Sequence, residues 1–87
     1  MKIEEGYYQH YKGRVYLVVG IAHHSETLES MVVYKAMYES RFGSDALWVR
    51  PESMWAEEVE VDGRFVPRFR PISGEEALEI GAQVRYK

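Results

Sequence analysis

The chain has 87 residues, no cysteine and a formal net charge of −3 at pH 7. A chain of this length without internal repeats has a thin core, and we expect a single domain over residues 1–87. The lack of cysteine excludes a disulfide scaffold, a thiolate nucleophile and cysteine-ligated zinc. The negative charge disfavours nonspecific binding to nucleic acid. No apolar run resembles a signal peptide or approaches the ~20 residues of a membrane span, which predicts a soluble cytoplasmic protein, either a monomer or a homodimer.

Two strands joined by a tight turn are predicted near the beginning of the chain. Residues 6–11 are rich in aromatic side chains, which suit a pleated surface. Lys12 and Gly13 can form the turn, since glycine accepts the positive φ that tight turns need. Residues 14–22 are apolar on both faces of a strand, so both faces are expected to be covered. Gly20 within this run predicts a bulge or a sharp bend.

Residues 27–40 fit two interpretations. Leu28, Met31 and Lys35 lie at helical spacing, and Ser25 or Thr27 could cap a helix. The β-branched and aromatic residues at 32–34 instead favour a strand. We favour a strand over residues 31–38, and the helix remains the alternative.

The middle of the chain contains a loop, a short strand and a hairpin. Residues 39–46 have the composition of a loop, and Pro51 ends a strand at 47–50 and can begin a single helical turn. Asp62 and Gly63 between two apolar runs predict a hairpin. A two-residue turn would place Glu60 opposite Phe65, so a bulge could shift the register.

The last part of the chain predicts a short helix. Ser73 and Glu76 have the spacing of a capping box, and Gly81 is placed to end the helix. Pro67 and Pro71 end the preceding strand or confine it to an edge. Residues 83–87 could form a final edge strand or a frayed end.

These elements predict a mostly β fold. Five or six short antiparallel strands, with turns every 8–12 residues, favour a small, partly open SH3-like barrel with a short C-terminal helix. The alternative is an α+β meander with a helix at 27–40. Alternating apolar positions give the predicted core: Val15, Leu17, Val19, Ile21, Val33, Leu47, Val49 and Val59.

Histidine and carboxylate residues cluster between the second and third strands. His23, His24, Glu26 and Glu29 are possible ligands of a divalent metal. Their spacing matches no established metal site, and neighbouring residues of an extended chain point in opposite directions. We therefore predict a solvated loop in which Ser25 and Thr27 cap backbone amides, and neither a metal nor a cofactor.

Aromatic and arginine residues are the more promising candidates for binding. Exposed rings on a β surface can pack against a peptide or stack on a ring. Four arginines could hold a carboxylate or a phosphate, or could pair with glutamates 57, 58 and 60. These arginines are Arg50, Arg64, Arg68 and Arg70.

Four blocks of the sequence, in this order, resemble a bacterial family of unknown function, DUF1653. The blocks are Tyr8-x-His10-Tyr11-Lys12-Gly13-x-x-Tyr16; Ala22-x-His24-Ser25-Glu26-Thr27-Leu28-Glu29 with Val32-Val33-Tyr34; Leu47-Trp48-Val49-Arg50-Pro51-x-x-Met54-Trp55; and Val66-Pro67-Arg68-Phe69. The resemblance covers residues 6–70 and leaves 71–87 as an extension. It implies a small, mostly β cytoplasmic protein without an established activity. The positions that the family motif emphasises are His10, His24, Glu26, Thr27, Tyr34, Trp48, Arg50, Pro51, Arg68 and Phe69.

The functional hypothesis is a binding module for a peptide, a small anionic ligand or a protein partner. No set of nucleophile, base and orienting residue is recognisable, which disfavours an enzyme. The alternative is a small metal-dependent or hydrolytic enzyme that uses His10, His24 and Glu26. If the loop after the second strand meets the end of the fourth strand, polar and aromatic groups converge on one rim. Glu26 and Arg50 would then form either part of a site or a structural ion pair. The predicted ligand-binding residues are His24, Glu26, Thr27, Tyr34, Arg50 and Arg68.

Overall fold

The computed structural model describes residues 3–38 and 46–81, which contain seven strands and two helices. The strands are β1 (Gly6–His10), β2 (Val15–His23), β3 (Ser30–Ala36), β4 (Leu47–Pro51), β5 (Glu58–Val61), β6 (Arg64–Pro67) and β7 (Phe69–Ile72). The helices are α1 (Glu52–Trp55) and α2 (Gly74–Ile80). The predictions for residues 39–45 and 83–87 lie outside the described residues.

Five strands form one antiparallel sheet in the order β4-β3-β2-β1-β7, and β5 and β6 form a separate hairpin. The mostly β prediction is confirmed. The sheet is open, and the strands of residues 3–38 and 46–81 do not close into a barrel. The alternative helix at 27–40 is wrong, because Ser30–Ala36 forms the strand β3 between β2 and β4. Its β-branched and aromatic residues fit this central position.

The hairpin of β5 and β6 has the two-residue turn that its sequence predicts. Val61 lies opposite Arg64, and Glu60 lies opposite Phe65, without a bulge. Asp62 and Gly63 both have positive φ, 52° and 80°. This combination is typical of the type I′ turn, whose twist matches that of the flanking strands.

The predicted bulge is present in β2. Val18 lies opposite Tyr34, but Gly20 lies opposite Val33, so Val19 is the extra residue. An inserted residue moves the following side chains to the other face of the sheet. Ile21 lies opposite Val32, and Val32 is on the same face of β3 as Tyr34, the partner of Val18. Ile21 therefore shares a face with Val18.

The main core lies on the face of the sheet opposite to most of the predicted core residues, and Ile21 is an exception because of the bulge. Val18 is 1% exposed and Val32 is fully buried, whereas Leu47 and Val49 are each 60% exposed. Of the eight predicted core residues, Val15 is buried; Leu17, Val33 and Val59 are intermediate; and Val19, Ile21, Leu47 and Val49 are exposed. The prediction was wrong because both faces of β2 are apolar, so alternation alone could not choose between them. Four aromatic and three aliphatic side chains form the main core: Tyr8, Tyr34, Trp55 and Phe69 with Ile3, Val18 and Val32.

Helix α2 covers part of the second face of the sheet. The hydroxyl of Ser73 accepts a hydrogen bond from the backbone N–H of Glu76, and Gly81 ends the helix with a left-handed φ of 96°. Ala77 is buried with Val15 and Met37. The predicted C-terminal helix is therefore confirmed, together with its cap. No helix within the described ranges is long and apolar enough to span a membrane.

Candidate functional site

Phe69 is the centre of an aromatic and cationic cluster on the core face of the sheet. It is the first residue of β7 and lies opposite His10 of β1. Its ring stacks on Trp55 at a centroid distance of 3.7 Å and meets the ring of His10 edge-on at 5.0 Å. The β1–β7 pairing and helix α1 thus hold three rings together, and the stacked pair contributes about 0.5–1.5 kcal/mol beyond its buried area.

Arg50 reaches this cluster from the opposite edge of the sheet. It lies near the end of β4, opposite Val32, and Pro51 keeps its backbone extended. The guanidinium carbon lies 5.4 Å from the centroid of the Phe69 ring. Within residues 3–38 and 46–81, its buried Nε atom has no hydrogen-bond partner, and no carboxylate lies within 4 Å of the side chain. Arg50 is therefore a cation that retains unused hydrogen-bond donors.

Arg68 lies in the connection between β6 and β7, immediately before Phe69. Its backbone N–H donates to the carbonyl of Glu57, and its own carbonyl accepts from the N–H of Tyr11. The guanidinium contacts Glu57 Oε1 at 3.4 Å through one terminal nitrogen, a long distance for a charged pair. The buried Nε atom has no hydrogen-bond partner in the described part of the chain. A fixed backbone and a single weak ion pair leave most of the guanidinium available to a ligand.

The charges of both arginines affect the pKa of His10. Partial burial lowers the pKa of its imidazole below the usual 6.5, and the charges of Arg50, Arg68 and Lys12 lower it further. The backbone N–H of Lys12 donates to Nδ1 at 3.1 Å. The neutral ring therefore carries its proton on Nε2, where it can act as a donor.

Tyrosines continue the cluster across the sheet. The buried ring of Tyr34 lies 4.9 Å from Trp55 and 5.4 Å from Tyr16. The hydroxyls of Tyr16 and Tyr38 share a hydrogen bond of 3.0 Å. Burial, followed by this hydrogen bond, raises the pKa of Tyr16 well above its ordinary value. The Tyr16 hydroxyl therefore stays protonated at neutral pH and serves as a hydrogen-bonding group.

The loop between β2 and β3 forms a compact, exposed turn. His24 Nδ1 accepts hydrogen bonds from the backbone N–H groups of Glu26 and Thr27, and Thr27 Oγ1 accepts from the N–H of Glu29. Leu28 has a positive φ of 65°. Thr27 therefore caps a backbone amide as predicted, whereas the other acceptor is His24 and not the predicted Ser25. Among the described residues, Glu26 and Arg50 do not form an ion pair within 4 Å.

The structure brings together some of the predicted site residues. Tyr34 and Arg50 each lie within the ring contacts of Phe69, and Arg68 precedes it in the chain. His24, Glu26 and Thr27 lie in the turn that follows His23. His23 pairs with Ser30 of β3, and Ser30 lies two residues before Val32, the partner of Arg50. They border the same end of the sheet, but none forms a contact with the arginines that the structure records.

Phe69 and His10 are the central residues that the predicted set left out. The family motif named both, but their importance depends on the pairing of β1 with β7, which no local sequence pattern predicts. Arg70 differs from Arg50 and Arg68, because its guanidinium donates hydrogen bonds to Gln9 and to Glu76 at 2.7 and 2.9 Å. Within residues 3–38 and 46–81, no three histidine, aspartate or glutamate side chains are placed to hold a metal ion.

Comparisons with known proteins agree on a family. The model of the family described as "Protein of unknown function (DUF1653)" matches residues 6–71. A crystal structure of a DUF1653 protein from Bordetella bronchiseptica is similar, with a TM-score of 0.73 and 36% sequence identity over 83% of this chain and 90% of that one. No curated protein matches the sequence. Because the family model spans most of the chain and the solved structure shares its fold, this protein belongs to the DUF1653 family.

Proposed function

We propose that this protein is a binding module that recognises an anionic group on a peptide, a small ligand or a protein partner. Arg50 and Arg68 are the residues that hold the anion. The observation that carries the proposal is that both guanidinium groups have a buried Nε–H without an acceptor among the described residues. A buried donor that lacks a partner costs about 1–3 kcal/mol, and an oxygen of a bound ligand would remove this cost.

The local charge favours a carboxylate or a phosphate. The positive charges of Arg50, Arg68 and Lys12 all lower the pKa of His10. Among the described residues, Glu57 is the one carboxylate that forms an ion pair with any of these three cations. A guanidinium group presents its donors as a planar fork that fits two oxygens of one anion. An anion next to Arg50 would therefore gain two charge-assisted hydrogen bonds without displacing a carboxylate.

Aromatic rings give the proposed site a wall. Arg50 lies over Phe69, and the edge of the His10 ring contacts the same phenylalanine. Neutral His10 would offer its Nε2–H as a further donor to the anion. An apolar wall with a few converging polar groups is the usual composition of a small-ligand site.

The loop residues are proposed as the border of this site. His24, Glu26 and Thr27 follow β2 at the end of the sheet where β4 carries Arg50. The side chains of His24 and Thr27 accept the backbone hydrogen bonds that hold the shape of the turn. The alternative of an enzyme using His10, His24 and Glu26 has less support, because His24 Nδ1 is already used as an acceptor inside this turn.

A nuclear magnetic resonance titration tests the anion site. Inorganic phosphate and acetate are added at constant ionic strength, and the Nε–H resonances of the arginines are followed. We expect both ions to shift the Arg50 and Arg68 signals. Arg50→Gln and Arg68→Gln should each weaken phosphate binding at least tenfold, because one charged hydrogen-bond pair contributes roughly 1.5–3 kcal/mol.

The matched control is Arg64→Gln, which removes an exposed arginine from the β5–β6 hairpin. This variant should bind phosphate like the wild type. Arg50→Gln should also keep its fold, because Arg50 forms no ion pair with the described residues. Equal phosphate affinity in all three variants, or no shift of the Arg50 and Arg68 signals, would reject the anion site.

A further inference from the structure

Strand β4 is one edge of the five-stranded sheet, and its pairing with β3 shows which of its backbone groups face outward. In an antiparallel pair, successive residues direct their N–H and C=O groups alternately toward the partner strand and away from it. The N–H of Ala36 in β3 donates to the carbonyl of Ala46 at 3.4 Å, directly before the first residue of β4. The even-numbered residues of β4 therefore face β3, and Leu47, Val49 and Pro51 face outward.

The outer side of β4 has backbone donors without partners among the described residues. Within residues 3–38 and 46–81, no strand lies beyond β4, and nothing bonds to the outward N–H groups of Leu47 and Val49. The opposite edge of the sheet differs. The N–H of Tyr11 donates to the carbonyl of Arg68, so Pro71 is an outward residue of β7 and has no N–H to offer. Proline is a common protection of edge strands, and β4 has none before its last residue.

Apolar side chains lie beside this open edge. Leu17 and Leu47 both lie opposite Lys35 of β3, so they share the face of the sheet on which α2 packs. Leu17 is partly buried against the cluster that includes Ala77, whereas Leu47 and Val49 are each 60% exposed. Open backbone donors next to apolar side chains are the features that an added β-strand recognises. The edge therefore fits another strand.

We propose that two copies of this chain associate through β4, in antiparallel register about a two-fold axis at Val49. Val49 then lies opposite Val49 of the second copy, and the two exchange a pair of backbone hydrogen bonds. The N–H of Leu47 reaches the carbonyl of Pro51 of the second copy, and their apolar side chains meet on one face. Trp48 lies opposite Arg50, so like charges do not face each other directly across the new pair.

The difference between the two edges explains why the occupant of β4 is a second copy and why the assembly closes. Identical strands related by a two-fold axis offer each other the same outward groups, so the interface complements itself. The edges left outside are the two β7 strands, where Pro71 lacks the outward donor that further growth of the sheet would use. Two strands of five residues form a small interface, so we expect a Kd on the order of 50 µM.

Sedimentation of the full chain at increasing concentration tests the proposal. Between about 5 µM and about 500 µM, the average mass should rise from near that of one chain toward that of two. Val49→Pro removes an outward N–H and leaves the bonds to β3, and Val49→Lys places two like charges opposite each other. Each variant should raise the Kd at least tenfold, with the circular dichroism of the wild type, because Val49 is exposed. Val61→Lys, which changes an exposed valine of the β5–β6 hairpin, is the matched control and should associate like the wild type.

Cysteine cross-linking locates the axis, because the chain has no cysteine of its own. Residues opposite each other in a hydrogen-bonded pair lie about 5.5 Å apart at Cα, a distance that a disulfide can span. Val49→Cys should therefore form a disulfide-linked dimer on mild oxidation at least tenfold faster than Phe65→Cys. Phe65 is 69% exposed on the β5–β6 hairpin, so it controls for random collision.

Arg68→Gln should associate like the wild type, because Arg68 lies outside β4, so failure of the anion site and failure of this interface are distinguishable. A wild-type chain that stays monomeric up to about 500 µM would show that β4 does not pair with a second copy. This result, association that survives in both Val49 variants, or equal cross-linking of the two cysteine variants would overturn the proposal.

Discussion

At the residue scale, His10 links the pH dependence of the protein to its arginines. Burial, Arg50, Arg68 and Lys12 all oppose the protonated imidazole in the folded state. The unfolded chain lacks these effects, so it binds the proton more tightly than the folded protein. The contribution of neutral His10 to the free energy of unfolding is therefore fully present above pH 6.5 and decreases as the pH falls below this value.

We expect the urea midpoint to fall between pH 7 and about pH 5.5, and His10→Gln to reduce this slope, because glutamine has no proton to gain. In a direct titration by nuclear magnetic resonance, Arg50→Gln should raise the pKa of His10, since it removes the first of the charges that lower it. Arg64→Gln is the control and should leave this pKa as it is. A His10→Gln variant with the wild-type slope would contradict this assignment.

The arginines show how far the sequence could identify the site residues. Their proximity in the chain predicted a cationic region, and Arg50 and Arg68 were among the predicted site residues. The sequence could not show that Arg70 is bound to Gln9 and Glu76, because those contacts depend on β1 and α2 lying beside β7. Which guanidinium groups keep unused donors is a property of the assembled sheet.

At the element scale, β2 explains both the success and the error of the fold prediction. Its apolar run, the glycine within it and the turn before it predicted the strand and the bulge. The choice of face failed, because the side chains that distinguish the faces belong to other elements. Trp55 of α1 and Phe69 of β7 pack on the side of Val18, and these distant segments decide which face is the core.

The cap of α2 provides a test at the same scale. Ser73→Ala removes the acceptor of the Glu76 N–H and should lower stability by about 1 kcal/mol. For a domain of this size, that loss corresponds to a decrease in Tm of roughly 4–8 °C. The change is measured by thermal unfolding followed by far-ultraviolet circular dichroism.

Ser53→Ala is the matched control for the cap. Ser53 lies within the short helix α1 and is exposed, whereas the Ser73 side chain accepts a hydrogen bond at a helix start. This control should change Tm by less than about 2 °C, as for most exposed substitutions. Equal Tm values for Ser73→Ala and the wild type would show that the cap does not stabilise α2.

At the scale of the whole molecule, one aromatic cluster connects elements that are distant in the sequence. Tyr8 of β1, Tyr34 of β3, Trp55 of α1 and Phe69 of β7 belong to the same buried group. Because each element loses part of its buried surface when another one leaves, the elements should unfold together. Small single domains usually show this two-state behaviour.

We therefore expect a single unfolding transition in urea. The Trp48→Phe variant leaves Trp55 as the fluorescent tryptophan, so its emission reports the core, while far-ultraviolet circular dichroism reports the strands. The two curves should have the same midpoint within error. A fluorescence change that precedes the loss of strand signal would show that the aromatic cluster opens separately from the sheet.

The pairing of β1 with β7 determines how early in folding the proposed anion site can form. Tyr7 pairs with Ile72 and His10 pairs with Phe69, so β1 can form these pairs only when β7, the last described strand, is present. Contacts between distant segments form slowly, because a long loop must close first. The proposed anion site includes Phe69, so it cannot form in a chain that has folded only as far as β6. On this proposal, a chain during synthesis would gain its anion site only after β7 has paired with β1.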